Sequence, residues 1–148
     1  MSKILPWLYL GSKNDAMNIG FLTNNHITVV INVAVELQHI IYPNVPVVVK
    51  IGLYDDPEED INMYFDYIYR CMKLAELRNQ NVLIHCAAGI SRSSTFVAHY
   101  LMRDQNMKLT EAIRYMRKIR KQVRPNDGFM HQLHSYKYSK DINGINND

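Results

Sequence analysis

Residues 81–94, NVLIHCAAGISRSS, are the most informative part of the sequence about its fold, because they are predicted to join a buried strand to a helix through one short loop. Within residues 81–85, the three residues 82–84 are apolar on consecutive positions, which is typical of a strand covered on both faces. From Ser93 to Asp104 the apolar residues return at helical spacing. Such a unit indicates an α/β protein, with the loop at the carboxyl end of the strand, where α/β proteins bind ligands.

The rest of the chain adds strands mostly in its first half and helices mostly in its second half. Strands are predicted at Trp7–Leu10, Thr28–Val33, Val45–Ile51 and Asn81–His85. Helices are predicted at Ile61–Leu77, at Ser93–Asp104, after a cap at Thr110, and after a break at Pro125. No repeat or linker divides the chain, so we expect a single α/β domain over residues 1–140 and a flexible polar tail at 141–148. Its core is expected to be a central, mostly parallel twisted sheet flanked by helices.

The composition excludes several classes of protein. With 148 residues, 47% hydrophobic and 21% charged, the chain is neither disordered nor fibrous. No apolar run approaches the roughly 20 residues of a membrane helix, and residues 1–6 contain no signal-peptide core. Two cysteines, Cys71 and Cys86, are too few for a disulfide framework, and Cys71 lies among the apolar residues of a predicted helix. We therefore expect a cytoplasmic protein, with the nucleus as the alternative, and no membrane partner.

The net charge of +3 is small, but the charges are unevenly distributed. Eight of the 17 Lys and Arg residues lie between Arg103 and Arg124, and five of the 14 Asp and Glu residues lie within residues 55–60. A basic stretch is most simply a solvated helix face. It also suits the attraction of an anionic substrate.

The loop between the buried strand and its helix carries residue types suited to binding an anion and attacking it. A loop that enters a helix N-terminus presents unpaired backbone N–H groups and the positive end of the helix dipole. Three small residues let this backbone close around an anion: Ala87, Ala88 and Gly89. The dipole and Arg92 both favour a thiolate at Cys86, and the planar fork of Arg92 fits two oxygens of one phosphate. Ser93 is expected to donate a hydrogen bond to the same sulfur.

Other cysteine chemistries fit the sequence less well. In a thiol protease a histidine must activate the cysteine, but His85 and Cys86 are consecutive strand residues, which point to opposite faces. The sequence has neither further Cys or His at metal-ligand spacing nor a Gly-rich nucleotide loop. A buried, inert cysteine in a glycine turn is the remaining alternative, although Cys, Gly and Arg rarely coincide at this spacing. No metal and no cofactor are expected.

The segment HCAAGISRSS resembles the H-C-x5-R-[ST] signature of the protein tyrosine phosphatase superfamily, and most closely that of its small dual-specificity branch. Three flanking segments resemble the same branch: ILPWLYLG (residues 4–11), ITVVINVAV (27–35) and RPNDGF (124–129). The resemblance extends from Ile4 to Tyr136. It implies the α/β fold already expected and a phosphatase that uses a phosphocysteine intermediate.

The resemblance also implies roles for individual residues. Cys86 attacks phosphorus, an aspartate on an earlier loop protonates the departing oxygen, and Ser93 helps the sulfur to leave. Asp55 is favoured for this aspartate by the pattern that follows it, and Asp56 is its rival. The phosphate is held by the N–H groups of Ala87, Ala88, Gly89, Ile90, Ser91 and Arg92 and by the Arg92 guanidinium. Supporting roles are implied for His85 and Asn126, and contacts to a second substrate phosphate are expected of Lys121 and Arg124.

The dual-specificity branch implies a phosphoprotein substrate that carries phosphotyrosine, phosphoserine or phosphothreonine. Phosphoinositide-directed relatives tend to have lysines within the loop, which is neutral here. An RNA 5′-phosphatase is an alternative because residues 114–124 are basic, but only Tyr115 there offers a ring for stacking, so nucleic acid is not expected as a partner. Two other classes are a catalytically dead phosphoprotein-binding module, which usually loses the cysteine, and a rhodanese-type sulfurtransferase, which needs no acid aspartate.

Overall fold

The computed structural model describes residues 1–136, which form one five-stranded sheet with six α-helices. The strands are β1 (Ser2–Leu5), β2 (Leu8–Gly11), β3 (Ile27–Ala34), β4 (Val47–Leu53) and β5 (Asn81–His85). The helices are α1 (Lys13–Ala16), α2 (Ile19–Asn24), α3 (Phe65–Leu77), α4 (Arg92–Asp104), α5 (Leu109–Ile119) and α6 (Asp127–Ser135). Short 3-10 turns lie at Val35–Leu37 and Ile61–Tyr64. The predicted domain boundary at residue 140 and the predicted tail at 141–148 lie outside the described residues.

The sheet has the order β1-β2-β5-β3-β4. Only β1 pairs antiparallel, with β2, and the other neighbours pair parallel. The central strand is β5, in which Val82, Leu83 and Ile84 are fully buried. Because consecutive strand residues point to opposite faces, this burial means that both faces of the sheet are covered. The predicted α/β domain with a mostly parallel sheet is confirmed.

The loops that follow β3, β4 and β5 lie close together, because the carboxyl ends of these parallel strands meet at one edge of the sheet. Glu36 follows β3, Asp55 follows β4, and Cys86 follows β5. Helix α4 runs from this edge and contacts β2, β3 and β5 as well as α3, α5 and α6. Phe96 and Leu101 within it are fully buried, as in a helix that is surrounded on all sides. The loop between β5 and α4 is therefore anchored at both ends in the core.

Several predicted boundaries differ from the structure. Strand β1 and helices α1 and α2 were not predicted, because each spans at most six residues and shows no full hydrophobic period. The first turn of the predicted helix at Ile61 is a 3-10 turn, and α3 begins at Phe65. The predicted cap at Thr110 is wrong: the N-cap of α5 is Lys108, two residues earlier, and the Glu111 carboxylate accepts a hydrogen bond from the Lys108 N–H at 2.8 Å. Within residues 1–136 no helix has both the length and the apolar character needed to cross a membrane.

Candidate active site

The loop between β5 and α4 requires a glycine at its centre. Gly89 has a φ of 69°, in the left-handed region that favours glycine. A Cβ atom on Gly89 would lie 2.6 Å from the carbonyl oxygen of Gly11 and 2.7 Å from Nη2 of Arg120. Both the turn and the close packing of the loop against the end of β2 therefore depend on the missing side chain.

Four consecutive carbonyl groups of the loop are hydrogen-bonded from outside it. Ala87 O accepts from Lys13 N (2.8 Å), Ala88 O and Gly89 O accept from the Arg120 guanidinium (3.2 and 3.0 Å), and Ile90 O accepts from Arg124 N (2.8 Å). The C=O and N–H of one trans peptide unit point in opposite directions. The N–H groups of residues 88–91 are consequently turned to the inner side of the loop, where they form a cradle for an anion.

Arg120 is buried, whereas the basic stretch to which it belongs was interpreted as a solvated helix face. Only 9% of it is exposed, and its guanidinium donates to two loop carbonyls and to Ser2 Oγ at 3.0 Å. It lies at the C-cap of α5, where the chain turns back toward the loop. Arg120 therefore supports the cradle and does not belong to the basic surface.

Cys86 lies directly after β5 and is 2% exposed. Its Sγ is 3.1 Å from Oγ of Ser93, which is fully buried in the first turn of α4. The predicted contact between these two side chains is present. A buried sulfur next to the cradle and within reach of a hydroxyl group is suited to in-line attack and to later departure from phosphorus.

His85 links the nucleophile to the neighbouring strand. Its Nδ1 lies 3.1 Å from Cys86 O, and its Nε2 lies 2.6 Å from the hydroxyl of Tyr42, which accepts from Asn32 Nδ2 at 3.0 Å. A carbonyl oxygen accepts only, so Nδ1 carries the proton and Nε2 accepts from Tyr42. Burial lowers the pKa of His85 and raises that of Tyr42 to about 12, so both groups stay neutral. His85 is therefore hydrogen-bonded to the loop, in agreement with a supporting role.

Arg92 is held by a carboxylate that the sequence analysis did not identify. Glu36 Oε1 accepts from Nη1 and Oε2 accepts from Nη2, both at 2.7 Å, and Leu53 O accepts from Nη1 at 2.8 Å. These hydrogen bonds hold the pKa of Glu36 below its usual value. The only sequence signal for this role is the position of Glu36 just beyond β3, at the edge where the ligand loops meet.

The five N–H bonds of the Arg92 guanidinium can be accounted for individually. Glu36 and Leu53 take three of them. The Nε–H is buried and has no hydrogen-bond partner. The unused pair is thus Nε–H and the second N–H of Nη2, which are parallel and lie on one side of the group. This is the geometry that fits two oxygens of one phosphate.

The two candidate acids have different environments. Asp55 is exposed, and its Oδ1 accepts from Asn126 Nδ2 at 2.9 Å. Asp56 Oδ1 instead accepts from the backbone N–H of Glu58 at 2.8 Å and closes a local turn. Asp55 also lines a cavity of about 300 Å³ over the loop, together with Pro57, Ile90, Ser91, Arg124, Asn126 and Asp127. These contacts favour Asp55 over Asp56 as the acid. The catalytic role of Asp55 stays a prediction.

Helix α6 holds the acid-bearing loop, residues 55–60, in place. The side chain of Gln132 donates to Glu59 O and accepts from the Asn62 N–H, each at 2.9 Å. Gly128 lies so close to the carbonyl group of Pro57 that any side chain there would collide with it. The sequence pattern RPNDGF thus has two functions: Asn126 caps α6 by accepting from Phe129 N, and it reaches across to Asp55.

The other predicted site residues separate into two groups. Arg124 lies at the cavity over the loop, whereas Lys121 is not among the residues that line it. Cys71 lies half-buried on α3 and is free, as Cys86 is. Within residues 1–136 no group of three His, Cys, Asp or Glu residues is arranged to hold a metal ion.

Comparison with known proteins identifies the family of this chain. The family model for the catalytic domain of dual specificity phosphatases matches residues 8–139. Dual specificity protein phosphatase 19 of Mus musculus is 33% identical over 141 residues, which are 95% of this chain and 64% of that protein. Dual specificity protein phosphatase 1B of Arabidopsis thaliana is 38% identical over 94% of this chain and 83% of that protein.

Solved structures of phosphatases and phosphatase-like proteins have the same fold as this chain. The crystal structure of DUSP15 has a TM-score of 0.86 and 32% identity over 90% of this chain and 85% of that one. The human tyrosine phosphatase-like serine/threonine/tyrosine-interacting protein has a TM-score of 0.85, also with 32% identity, over 92% and 94%. The chain spans only 64% of the mouse relative and 20% of human protein phosphatase Slingshot homolog 3. Because the family model matches residues 8–139 and the Arabidopsis thaliana relative is 38% identical over 83% of its own length, the chain belongs to the dual specificity phosphatase family.

Proposed function

We propose that the protein is a cysteine-dependent phosphatase that hydrolyses phosphotyrosine and phosphoserine or phosphothreonine on proteins. The observation that carries the proposal is the site geometry: the Cys86 sulfur lies beside a loop whose N–H groups are turned inward. The two unused, parallel N–H bonds of Arg92 complete this cradle. Positive groups arranged in advance for a phosphoryl group stabilise its transition state without reorganising.

In the proposed mechanism the Cys86 thiolate attacks phosphorus in line, and Asp55 gives its proton to the departing oxygen. The cradle and Arg92 hold the equatorial oxygens throughout. Water then attacks the phosphocysteine while Asp55 accepts a proton, and the Ser93 hydroxyl stabilises the departing thiolate through the 3.1 Å contact. His85 has no proton-transfer role, because both of its ring nitrogens are already hydrogen-bonded within the protein.

Phosphoproteins are favoured over the other substrate classes by the loop and its surroundings. The loop itself contributes no lysine that would suit an inositol ring with several phosphates. An RNA 5′-phosphate would find basic residues on α5, but the only ring there, that of Tyr115, has its hydroxyl hydrogen-bonded to Ile4 O at 2.7 Å. A catalytically dead binding module is disfavoured because Cys86, Arg92 and Asp55 are all present. We also propose a reducing compartment, cytoplasm or nucleus, because the nucleophile must stay a free thiol.

The test is a panel of phosphopeptides, phosphoinositides and 5′-phosphorylated RNA, each assayed with EDTA. We expect phosphopeptides to be hydrolysed fastest, Cys86→Ser to abolish turnover while retaining phosphate binding, and Arg92→Lys to be severely impaired because an ammonium group cannot supply two parallel N–H bonds. Substantial activity of Cys86→Ser would show that the covalent mechanism is wrong. Faster hydrolysis of RNA or lipid would replace the substrate class, and thiocyanate formation from thiosulfate and cyanide would indicate a sulfurtransferase.

A further inference from the structure

A groove of about 530 Å³ lies between α5 and α6. It is separate from, and larger than, the cavity of about 300 Å³ that Asp55 lines over the β5–α4 loop, here called the catalytic cavity. Its walls are apolar at the base, where Ile113 is buried and Met130 is half-buried, and basic at the rim. The rim residues are exposed: Arg114, Arg117 and Lys118. Methionine adapts its shape to different apolar partners, which suits a surface that binds a side chain from another molecule.

The rim cations Arg114, Arg117 and Lys118 form no ion pair within the part of the chain that the structure describes. The acidic residue nearest in sequence, Glu111, accepts a hydrogen bond from the backbone at Lys108. Arg117 uses its Nε to bind Val123 O at 2.8 Å and leaves its other N–H groups at the surface. The groove therefore presents a positive field around an apolar base.

The groove adjoins the catalytic cavity through α6. Met130 follows Asn126, a residue of the cavity, by four positions, which corresponds to about 6 Å along the helix axis. On the α5 side, Arg117 is hydrogen-bonded to Val123, the neighbour of Arg124 at the cavity. An extended chain advances about 3.3 Å per residue. A peptide whose phosphorylated residue enters the cradle would therefore reach the groove with a side chain a few residues away.

The chemistry of the groove selects a protein segment over a nucleic acid. Single-stranded nucleic acids bind by stacking their bases on aromatic rings, and within residues 1–136 no aromatic residue lines this groove. Tyr115, on the same helix, is half-buried and hydrogen-bonded to β1. An apolar base with a cationic rim complements an apolar side chain between carboxylates.

We propose that the α5–α6 groove docks a segment of the phosphoprotein substrate in which one apolar side chain is flanked by Asp or Glu. The inference rests on the proposed function and adds to it a second contact site that selects among phosphoproteins. Docking raises the local concentration of the phosphorylated residue at Cys86 and leaves the chemical step unchanged. Its contribution therefore appears in KM and not in kcat.

The first test measures binding without catalysis. Cys86→Ser protein is titrated into a fluorescent, unphosphorylated peptide with the sequence pattern Glu-Leu-Glu, and anisotropy is recorded at low salt. Arg114→Glu on this background should weaken binding roughly 3- to 10-fold, and replacing the leucine by serine should have a similar effect. Arg78→Glu is the matched control, because Arg78 is also exposed but lies at the end of α3, and it should leave the affinity unchanged.

The second test measures turnover of phosphotyrosyl peptides with the Glu-Leu-Glu segment placed at different distances from the phosphorylated residue. Arg114→Glu and Met130→Gln should raise KM for the peptides with optimal spacing, leave kcat unchanged, and leave turnover of a small aryl phosphate unaffected. Equal kcat/KM with and without the segment would overturn docking and leave the phosphatase activity standing. Binding of the peptide by a protein that hydrolyses no phosphopeptide would support the docking site and overturn the proposed phosphatase activity. Stronger competition by a 5′-phosphorylated oligoribonucleotide than by the peptide would assign the groove to RNA.

Discussion

Both carboxylate oxygens of Glu36 accept hydrogen bonds from Arg92, each at 2.7 Å from a different terminal nitrogen of the guanidinium. The Glu36 side chain is 48% exposed, whereas that of Arg92 is 7% exposed, so the pair lies at the margin of the site with the arginine directed inward. This contact occupies the end of the fork and leaves its Nε side for a phosphate. Glu36 is therefore a positioning residue that acts through Arg92.

Glu36→Gln tests this role. Glutamine has one acceptor oxygen, and its NH2 group opposes the donors of Arg92, so the two-point contact is lost. We expect kcat/KM and the affinity for vanadate to fall together by roughly tenfold, since charge-assisted hydrogen bonds are strong but this carboxylate is partly solvated. An increase in both quantities would show instead that repulsion between Glu36 and the phosphate dianion outweighs the positioning. An unchanged melting temperature would separate either result from unfolding.

Asp55→Asn should change how the rate depends on the leaving group. Removing a positioned proton donor costs roughly 10²–10⁴-fold when the departing oxygen is strongly basic, as in serine and tyrosine esters. Aryl phosphates with good leaving groups should be much less affected. The burst rate of phosphocysteine formation across a series of aryl phosphates should therefore become steeper with leaving-group pKa.

Asp56→Asn is the matched control for this measurement. An asparagine oxygen can still accept the hydrogen bond that Glu58 N gives to Asp56, so the local turn is kept. We expect its profile to remain shallow, as in the parent enzyme. A steepened profile in Asp56→Asn with a shallow one in Asp55→Asn would transfer the role of acid to Asp56.

Asn126→Ser separates the two functions of Asn126. Serine is also a good N-cap, so α6 should keep its stability, but its side chain is too short to reach Asp55. We expect kcat for substrates with basic leaving groups to fall severalfold with little change in melting temperature. Asn126→Ala should show the same loss of activity and, in addition, a loss of about 1 kcal/mol of stability. Full activity in the serine variant would mean that the hydrogen bond to Asp55 does not position the acid.

Acidification should destabilise the fold through its buried histidines. Burial lowers the pKa of His99, which stacks on Phe65, to about 3, and it also lowers that of His85. The unfolded chain takes up these protons near pH 6.5, so below that pH it binds more protons than the folded chain. The contribution of these neutral histidines to the free energy of unfolding is therefore complete above about pH 6.5. It decreases as the pH falls toward 3, and for His99 alone the loss is about 2 kcal/mol at pH 5.

The measurement is urea unfolding at pH 7 and pH 5. His99→Phe keeps an aromatic ring at this position and removes its proton uptake, so the difference between the two pH values should shrink. His131→Gln, a change at an exposed position of α6, is the control. An equal pH dependence in His99→Phe and the parent protein would contradict the role assigned to His99.

The parts of this protein that depend on local order can be predicted from its sequence. An apolar run followed by Cys86, Gly89 and Arg92 is enough to predict the β5–loop–α4 unit, because a buried strand, a turn that needs a glycine and a helix N-terminus each depend on neighbouring residues. The β-branched run of β3 was predicted for the same reason. The short elements β1, α1 and α2 were missed, since four to six residues show no hydrophobic period and are stabilised by what they pack against.

Which side chains surround the loop between β5 and α4 depends on long-range packing. Glu36 and Arg92 are 56 residues apart in sequence, and Asp55 and Asn126 are 71 apart, so no local pattern connects them. Arg120 was counted with the basic stretch because its sequence neighbours are cationic, yet it is buried against the loop carbonyls. The charge of a residue can be read from the sequence. Whether that residue faces solvent or the site depends on how α5 and α6 pack against the edge of the sheet.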